Sequence, residues 1–345
     1  MNKKPLVGLS LEELKSVVST LGMPSFTAKQ ISEWLYKKKA FTINEMSNIS
    51  AKNRELLSEF YEVGRTLPVQ TVESTDGTKK YLFKTEGGHF IESVYIPEDD
   101  RATLCVSSQV GCKMGCLFCM TGKQGFIANL TYTEILNQIF SIPEADKLTN
   151  LVFMGMGEPF DNMLPLLRSL EILTADYGYA WSPRRITVSS VGLIPGMKVF
   201  LEKTNCHLAI SLHSPFSQER LQLMPIEKSF PISSVLEELR KHDFSKQRRV
   251  SFEYILFEGI NDTMRHAVEL VKILKGIEAR INIIRFHPIP GVDLKSSSNE
   301  KVNFFRDYLN SNGVTATIRR SRGEDVSAAC GMLSTQKNEN VSIDN

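Results

Sequence analysis

Apolar residues recur at helical spacing through residues 9–61. Most lie three or four positions apart, which is the period of a helix that buries one face. The positions are Leu9, Leu11, Leu14, Val17, Val18, Ile31, Trp34, Leu35, Leu56, Leu57 and Phe60. Ser10 and Glu13 have the spacing of a capping box at the start of the first helix. The pattern predicts a small helical N-terminal domain, which we place at residues 1–65.

Between Leu67 and Pro97 the pattern changes to an alternation of apolar and polar residues. The pairs Asp76-Gly77 and Gly87-Gly88 interrupt this alternation. Alternation is typical of strands with one buried face, and such glycine-containing pairs favour tight turns. We therefore predict two β-hairpins and assign residues 66–98 to a hairpin linker.

From Ala102 onward, short apolar or β-branched runs alternate with helical segments such as 133–140, 164–174, 235–241 and 265–274. The runs are TLCVSS, NLVFMGM, RITVSS, HLAISLH, VSFEYIL, INIIRFH and VTATIRR. This alternation predicts an α/β fold with a parallel sheet. Six or seven units are fewer than the eight of a closed barrel, which favours a partial (β/α)6 barrel over 99–333 with its chemistry at the strand ends. The polar tail 334–345 is expected to be mobile.

Composition narrows the class of protein only in part. The 345 residues are 42% hydrophobic and 23% charged, as in ordinary globular proteins. Lys and Arg number 41 against 39 acidic residues, so the net charge of +2 gives no sign of a polyanionic partner. The sequence has no signal peptide and no apolar run near the roughly 18 residues of a membrane span. We expect a cytoplasmic protein with no membrane partner.

Three of the six cysteines, Cys112, Cys116 and Cys119, lie on one predicted loop directly after TLCVSS. Thiolates favour iron–sulfur clusters, zinc or copper(I) in a reducing compartment. A cubane cluster usually takes four cysteines, so three would leave one iron open. A structural zinc site usually needs two separated ligand pairs, and a second pair is missing from the sequence. Buried, unreactive thiols are a further alternative.

The cysteine spacing resembles the signature of the radical S-adenosylmethionine superfamily. The resemblance implies a 4Fe–4S cluster whose open iron binds S-adenosylmethionine. The turn MGMGEP at 154–159 is similar to the superfamily turn that binds the cofactor's ammonium group, although taken by itself it would be an ordinary turn. Polar residues end the next two predicted strands, as expected around a ligand pocket. The cofactor contacts that the resemblance implies are Gly157, Glu158, Ser189, Ser211, Leu212 and His213.

From about residue 92 to residue 333 the chain resembles the RlmN/Cfr family of RNA adenine methyltransferases. The shared motifs are VSSQVGCKMGCLFCMTGKQGF, MGMGEP, SLH followed by Ser214-Pro215, LMPI at 223–226 and RGEDVSAACG at 322–331. The resemblance implies a radical-type partial barrel. It also implies a cofactor contact at His287, where the family commonly has Asn. An imidazole can replace an amide as donor or acceptor.

The resemblance assigns roles to two cysteines outside the loop. An adenine ring carbon is electrophilic and cannot attack the cofactor's methyl group directly. In the family, one cofactor molecule methylates the residue that matches Cys330, and a second is cleaved to a 5′-deoxyadenosyl radical that activates this methyl group. Glu92 is the implied base, and Cys105 the implied disulfide partner of Cys330 that releases product. Without the resemblance, the cysteines would be predicted as core thiols and Glu92 as a solvated strand residue.

The implied reaction is C2 methylation of an adenine in 23S rRNA and in tRNA, by a monomer that receives electrons from a donor such as flavodoxin or ferredoxin. The segments CMTGKQGF and GVDLKSSSNEKV favour C2. One alternative is C8 methylation of the same rRNA adenine, which confers antibiotic resistance. Another is a non-catalytic iron–sulfur or zinc protein that binds RNA through basic clusters, although such clusters are usually solvated surface. These clusters are 37–39, 184–185 and 319–322.

Overall fold

The computed structural model describes residues 3–244, 250–323 and 325. Its strands are β1 Lys4–Pro5, β2 Tyr61–Glu62, β3 Gln70–Glu73, β4 Lys79–Lys84, β5 Phe90–Pro97, β6 Ala102–Cys105, β7 Gln109–Gly111, β8 Phe126–Asn129, β9 Asn150–Phe153, β10 Ile186–Ser190, β11 His207–Ser211, β12 Val250–Leu256, β13 Ala279–Arg285 and β14 Thr315–Ile318. Its α-helices are α1 Leu11–Thr20, α2 Thr27–Ser32, α3 Ala51–Phe60, α4 Met120–Gln124, α5 Tyr132–Phe140, α6 Met163–Thr174, α7 Ile194–Lys203, α8 Ser217–Leu223, α9 Ile232–Leu239, α10 Met264–Ile273 and α11 Asn299–Ser311.

One sheet organises the molecule, in the order β14-β13-β12-β11-β10-β9-β6-β5-β4-β3. Seven neighbouring strands of this sheet are parallel, namely β6, β9, β10, β11, β12, β13 and β14. At least one helix follows each of them in the chain except β14. The predicted partial (β/α)6 barrel is therefore confirmed, with β14 as an additional parallel strand. Strands β5, β4 and β3 extend the same sheet in antiparallel fashion. The hairpin segment 66–98 thus adds strands to the barrel sheet, whereas our division of the chain into domains stays a proposal.

The sheet has an apolar face and a polar face because successive strand residues point to opposite sides. The apolar side chains are fully buried in one core with helix residues such as Leu136 and Leu166. They include Leu104, Leu151, Val188, Leu208, Ile210, Phe252, Ile281 and Ile283. The opposite face carries polar residues that the strand register aligns, including Cys105, Thr187, Ser189, Ser211, Glu253 and Asn282. This polar face is the side of the sheet on which ligand chemistry is expected.

The N-terminal helices pack into the same core as the barrel. The predicted capping box is confirmed, since Ser10 Oγ accepts from the Glu13 N–H at 3.2 Å and Glu13 Oε2 accepts from the Ser10 N–H at 2.7 Å. Ser32 Oγ donates to the Tyr177 carbonyl at 2.7 Å and so links α2 to the barrel. None of the helices in the described ranges has both the length and the apolar character needed to cross a bilayer.

One predicted helix boundary is wrong. The helix expected at 235–241 begins at Ile232 and ends at Leu239. Pro231 precedes its first residue, and proline fits at the start of a helix because the first N–H groups have no helical partner. Because the prediction followed apolar spacing, it missed this proline-defined start.

Arg220 on α8 is buried (0% exposed) behind the ends of β10 and β11. Its Nη2 donates to the carbonyls of Val191 at 2.8 Å and Ser211 at 3.0 Å, and its Nε donates to the Leu212 carbonyl at 3.1 Å. Its Nη1 pairs with Glu227, which is also buried. Burial lowers the pKa of Arg220, and the hydrogen bond to Glu227 opposes this effect. The guanidinium therefore joins two strand ends that carry candidate site residues.

Substituting Arg220→Met should lower the free energy of unfolding by about 3–5 kcal/mol, because Glu227 would be left buried without its cation. Urea denaturation followed by circular dichroism measures the change. The matched control is Arg265→Met, since Arg265 is 65% exposed and pairs with Glu219 at 3.2 Å. The control should cost about 0–1 kcal/mol. Equal losses in the two variants would contradict the role given to Arg220.

Candidate functional site

The two ends of the cysteine loop meet where two glycines approach each other closely. Gly111 has a φ of 70°, and a Cβ there would lie 1.7 Å from the Gly125 carbonyl oxygen, so only glycine fits. Cys112 donates its N–H to the same oxygen at 3.0 Å. The loop was predicted to follow TLCVSS directly, but the short strand β7 intervenes, and it pairs in antiparallel fashion with β8, which follows the loop. This hairpin sets the base of the loop.

The three loop thiols lie together. Cys112 and Cys116 are each 8% exposed, and Cys119 packs against the same apolar cluster. Burial, with smaller effects from the neighbouring thiols, raises the pKa of Cys112 to about 12 and that of Cys116 well above its usual value. Iron binding would replace the thiol protons, because metal ligands must be deprotonated. The chemistry of three thiols on one loop fits a 4Fe–4S cluster with one iron left for another ligand.

The geometry differs from that of a single-ion site. Among the described residues, no group of three His, Cys, Asp or Glu side chains is arranged to hold one metal ion. In a cubane, each thiolate binds a different iron, so the sulfur atoms need not converge on one point. The assignment to a cluster depends on the three-thiol loop and its spacing.

The turn after β9 packs closely against the cysteine hairpin. Gly157 has a φ of 97°, and a Cβ there would lie 2.5 Å from the Cβ of Gln109. Glu158 is buried; its Oε1 accepts from the Phe160 N–H at 3.0 Å and its Oε2 accepts from the Val191 N–H at 2.9 Å. Burial raises the pKa of Glu158 to about 7. A carboxylate has about four acceptor sites, so Glu158 can still accept from a cationic amine.

His213 connects the end of β11 to the cysteine loop. Its φ of 54° is uncommon for a residue with a side chain. Its Nδ1 accepts from the Ile255 N–H at 3.0 Å, so Nε2 carries the proton. Burial lowers the pKa of His213 to about 3, so the ring is neutral near pH 7. The ring meets Phe118 edge-on, with centroids 4.7 Å apart.

The other predicted cofactor contacts lie at neighbouring strand ends. Ser189 and Ser211 are both half-buried. Ser189 pairs with Ala209, and Ala209 lies two residues before Ser211, so the two serines lie on the same polar face. The Leu212 side chain is fully buried, and its N–H donates to the Glu253 carbonyl at 3.0 Å.

His287 lies just beyond β13, on a loop that flanks the cysteine loop. Its neighbours Phe286 and Ile289 belong to the apolar cluster that contains Cys112. Lys123 on α4 donates to the carbonyls of Pro290 at 2.9 Å and Gly291 at 2.8 Å. This loop is therefore tied to the helix that follows Cys119.

Glu92 is buried, at 2% exposure, and pairs with Lys80 Nζ through Oε2 at 3.0 Å. The alternative prediction of a solvated strand residue is wrong, because β4 and β6 flank β5 and Lys80 supplies a buried partner. Cys105, also buried, lies opposite Val94 and thus on the same face as Glu92. The structure brings the implied base and the implied resolving thiol to one face of the sheet.

Cys330 and the tail 334–345 lie outside the described residues. Gly323 and Asp325, which precede Cys330 in the sequence, are hydrogen-bonded to the turn between β3 and β4. The Gly323 N–H donates to Asp76 Oδ2 at 3.0 Å, and the Thr75 N–H donates to Asp325 Oδ2 at 3.0 Å. Asp325 precedes Cys330 by five positions.

Our sequence reasoning missed Lys80 and Glu253. Glu253 is buried in register with Ser211, and its Oε1 accepts from Asn282 Nδ2 at 2.8 Å. Its Oε2 has no hydrogen-bond partner among the described residues, and burial raises the pKa of Glu253. A charged residue inside an otherwise apolar strand was the available signal, since buried charges are rare unless they are paired.

Comparisons with known proteins cover nearly the whole chain. Residues 106–271 match the family model of the radical SAM superfamily, and residues 4–63 match that of the ribosomal RNA large subunit methyltransferase N-terminal domain. A probable dual-specificity RNA methyltransferase RlmN from Phocaeicola vulgatus is 62% identical, over 98% of this chain and 97% of the relative. The dual-specificity RNA methyltransferase RlmN from Syntrophus aciditrophicus is 41% identical, over 97% of each.

The fold comparison agrees with the sequence comparison. The crystal structure of a radical SAM methyltransferase from Sphaerobacter thermophilus matches with a TM-score of 0.90 and 38% identity, covering 95% of this chain and 98% of that one. Together with the three-cysteine loop at the mouth of a partial barrel, this similarity over nearly the full length shows that the chain belongs to the RlmN family of the radical SAM superfamily.

Proposed function

We propose that this protein is an S-adenosylmethionine-dependent RNA methyltransferase that methylates C2 of an adenine in 23S rRNA and in tRNA. The observation that carries the proposal is the similarity, over at least 97% of this chain, to relatives named as dual-specificity RNA methyltransferases. The three-thiol loop supports the same chemistry, because its thiols fit a cluster with one iron open.

Cys112, Cys116 and Cys119 would hold the 4Fe–4S cluster. When bound, the cluster and S-adenosylmethionine supply one-electron chemistry at carbon, with two cofactor molecules used per turnover. Gly157 would let the backbone approach the cofactor, and Glu158 would accept a hydrogen bond from the cofactor's amino group. The remaining contacts would orient the cofactor at the strand ends. They are Ser189, Ser211, Leu212, His213 and His287.

Three residues of this chain would act on the methyl group and the adenine ring. Cys330 carries the methyl group as a thioether, Glu92 accepts the ring proton, and Cys105 forms a disulfide with Cys330 that frees the product. The shared face of Glu92 and Cys105 supports this division of roles. The anchored segment before Cys330 also supports it, since Gly323 and Asp325 bind the β3–β4 turn.

The RNA would contact basic residues near the barrel mouth. A groove of about 540 Å³ is lined by Arg285, Asn299, Ile318, Arg319, Arg320, Ser321 and Arg322. Arginine side chains suit phosphate groups because their donors form a planar fork. In the N-terminal basic cluster, Lys38 lies over the Trp34 ring and Lys39 pairs with Asp146. We further propose that the protein acts as a cytoplasmic monomer, with flavodoxin or ferredoxin as the electron donor.

The reconstituted protein, given reductant, cofactor and RNA, should yield 2-methyladenosine, and Cys116→Ala should yield none because the cluster loses a ligand. Nucleoside mass spectrometry and cofactor cleavage are the measurements. Cys206→Ala is the matched control, since Cys206 is also a buried thiol but lies outside the loop. Recovery of 8-methyladenosine would favour the resistance-type reaction, and cofactor cleavage by Cys116→Ala would overturn the cluster assignment.

Cys105→Ala should accumulate a covalent protein–RNA adduct, because the thioether forms but no thiol resolves it. Cys330→Ala should give neither adduct nor methylated product. Denaturing gels with labelled RNA distinguish these outcomes. If both cysteines were merely core thiols, both variants would lose some stability and would still methylate RNA. Methylation by Cys330→Ala would show the carrier mechanism to be wrong.

Arg319→Gln combined with Arg320→Gln should weaken RNA binding and make its salt dependence shallower, by about one unit of log–log slope for each phosphate that the protein no longer neutralises. Titrations at several salt concentrations measure the slope. Arg306→Gln is the control, because Arg306 lies on α11 and pairs with Asp307 at 2.7 Å. An unchanged slope in the double variant would leave the groove without a role in RNA binding.

A further inference from the structure

Lys80 is buried in the sheet, where a charged ammonium group costs free energy because it is removed from water. It is within β4, between β3 and β5, and is 1% exposed. Its Nζ lies 3.0 Å from Oε2 of Glu92. Replacing a buried ion pair by apolar residues is often neutral or even stabilising, so stability by itself does not explain why this pair is present.

The strand register places the pair beside Cys105. Lys80 lies opposite Val94, and Val94 lies opposite Cys105, so the three form one row on the polar face. Glu92 lies on the same face, two positions closer to the C-terminal end of β6. There its carbonyl accepts from Ser107 Oγ at 2.6 Å. Lys80 is therefore deeper in the sheet, and Glu92 is nearer the mouth.

Lys79, the neighbouring residue on β4, forms ion pairs with other partners. Lys79 points to the opposite face, where it is 26% exposed and pairs with Glu73 at 3.3 Å and Glu144 at 3.1 Å. One strand thus carries two adjacent lysines in separate ion pairs. Only the pair formed by Lys80 shares a face with Cys105.

We propose that Lys80 is a positioning residue that holds the Glu92 carboxylate in place on the polar face, beside Cys105, through their buried ion pair. This inference rests on the proposed function, in which Glu92 accepts the ring proton. The C2–H bond breaks, the proton passes to a carboxylate oxygen, and the electron pair stays with the ring carbon. Burial favours the neutral form of a carboxyl group, whereas a nearby cation favours the carboxylate that this step requires.

The other charged or titratable groups on this side of the described structure differ from Lys80 in position or in partners. Lys84 is exposed at the far end of β4, and Cys105 is a buried thiol on β6. Asp76, Arg322 and Asp325 meet at the β3–β4 turn, where Asp76 lies 3.9 Å from Arg322 and Asp325 binds the Thr75 N–H. Lys80 Nζ, by contrast, lies within salt-bridge distance of Glu92 Oε2.

The test is the rate of methylation by the reconstituted enzyme. Lys80→Met should slow methylation by about tenfold or more, because the proton acceptor would no longer be held in place and a general base typically contributes about 100-fold or more. Lys80→Arg should restore most of the rate, since it keeps a cation in this position. Cofactor cleavage without RNA should be unchanged in both variants.

Lys79→Met is the matched control, because it also removes a lysine and its ion pairs from β4, and its methylation rate should not change. If Lys80→Met does not fold, Lys80→Gln replaces it and should show the same rate loss. A normal methylation rate in Lys80→Met, or an equal loss in Lys80→Arg, would overturn the role of Lys80. Normal methylation by Glu92→Gln would instead overturn the proposed role of Glu92, so the two failures are distinguishable.

Discussion

The guanidinium of Arg220 donates to the carbonyls of Val191, Ser211 and Leu212 and thereby joins the ends of β10 and β11 from inside the protein. Several site contacts depend on these strand ends. Glu158 is fixed by the Val191 N–H, and His213, which follows Leu212, reaches the cysteine loop through Phe118. A buried cation with its counterion Glu227 thus holds the cofactor side of the mouth in one arrangement.

The opposite side of the mouth is built by antiparallel strands rather than by strand–helix units. Strands β4 and β5 bring Lys80 and Glu92 to the polar face, and β6 adds Cys105. The radical-type barrel carries the proposed cofactor contacts, whereas the hairpins carry the proposed proton acceptor. Under the proposed function, the hairpin segment would contribute to the chemistry as well as connect two parts of the chain.

Apolar periodicity predicted the seven parallel strands correctly, because each strand has one face that is buried beneath helices. It missed the β7–β8 hairpin, whose strands of three and four residues are too short to establish a period. It could not predict the burial of Glu92 either. The partner of Glu92 is twelve positions away on another strand, and only the register of β4 against β5 brings Lys80 to it. The Nε2–H form of His213 likewise depends on an N–H of a neighbouring strand.

The anchor at the β3–β4 turn limits how far the proposed methyl carrier can travel. Cys330 follows Asp325 by five positions, and an extended chain spans at most about 3.3–3.6 Å per residue. The Cα atom of Cys330 therefore lies within roughly 18 Å of the Cα atom of Asp325. Each group that reacts with the proposed carrier must lie within side-chain reach of that sphere, so the number of residues after Asp325 limits which groups can be its reaction partners.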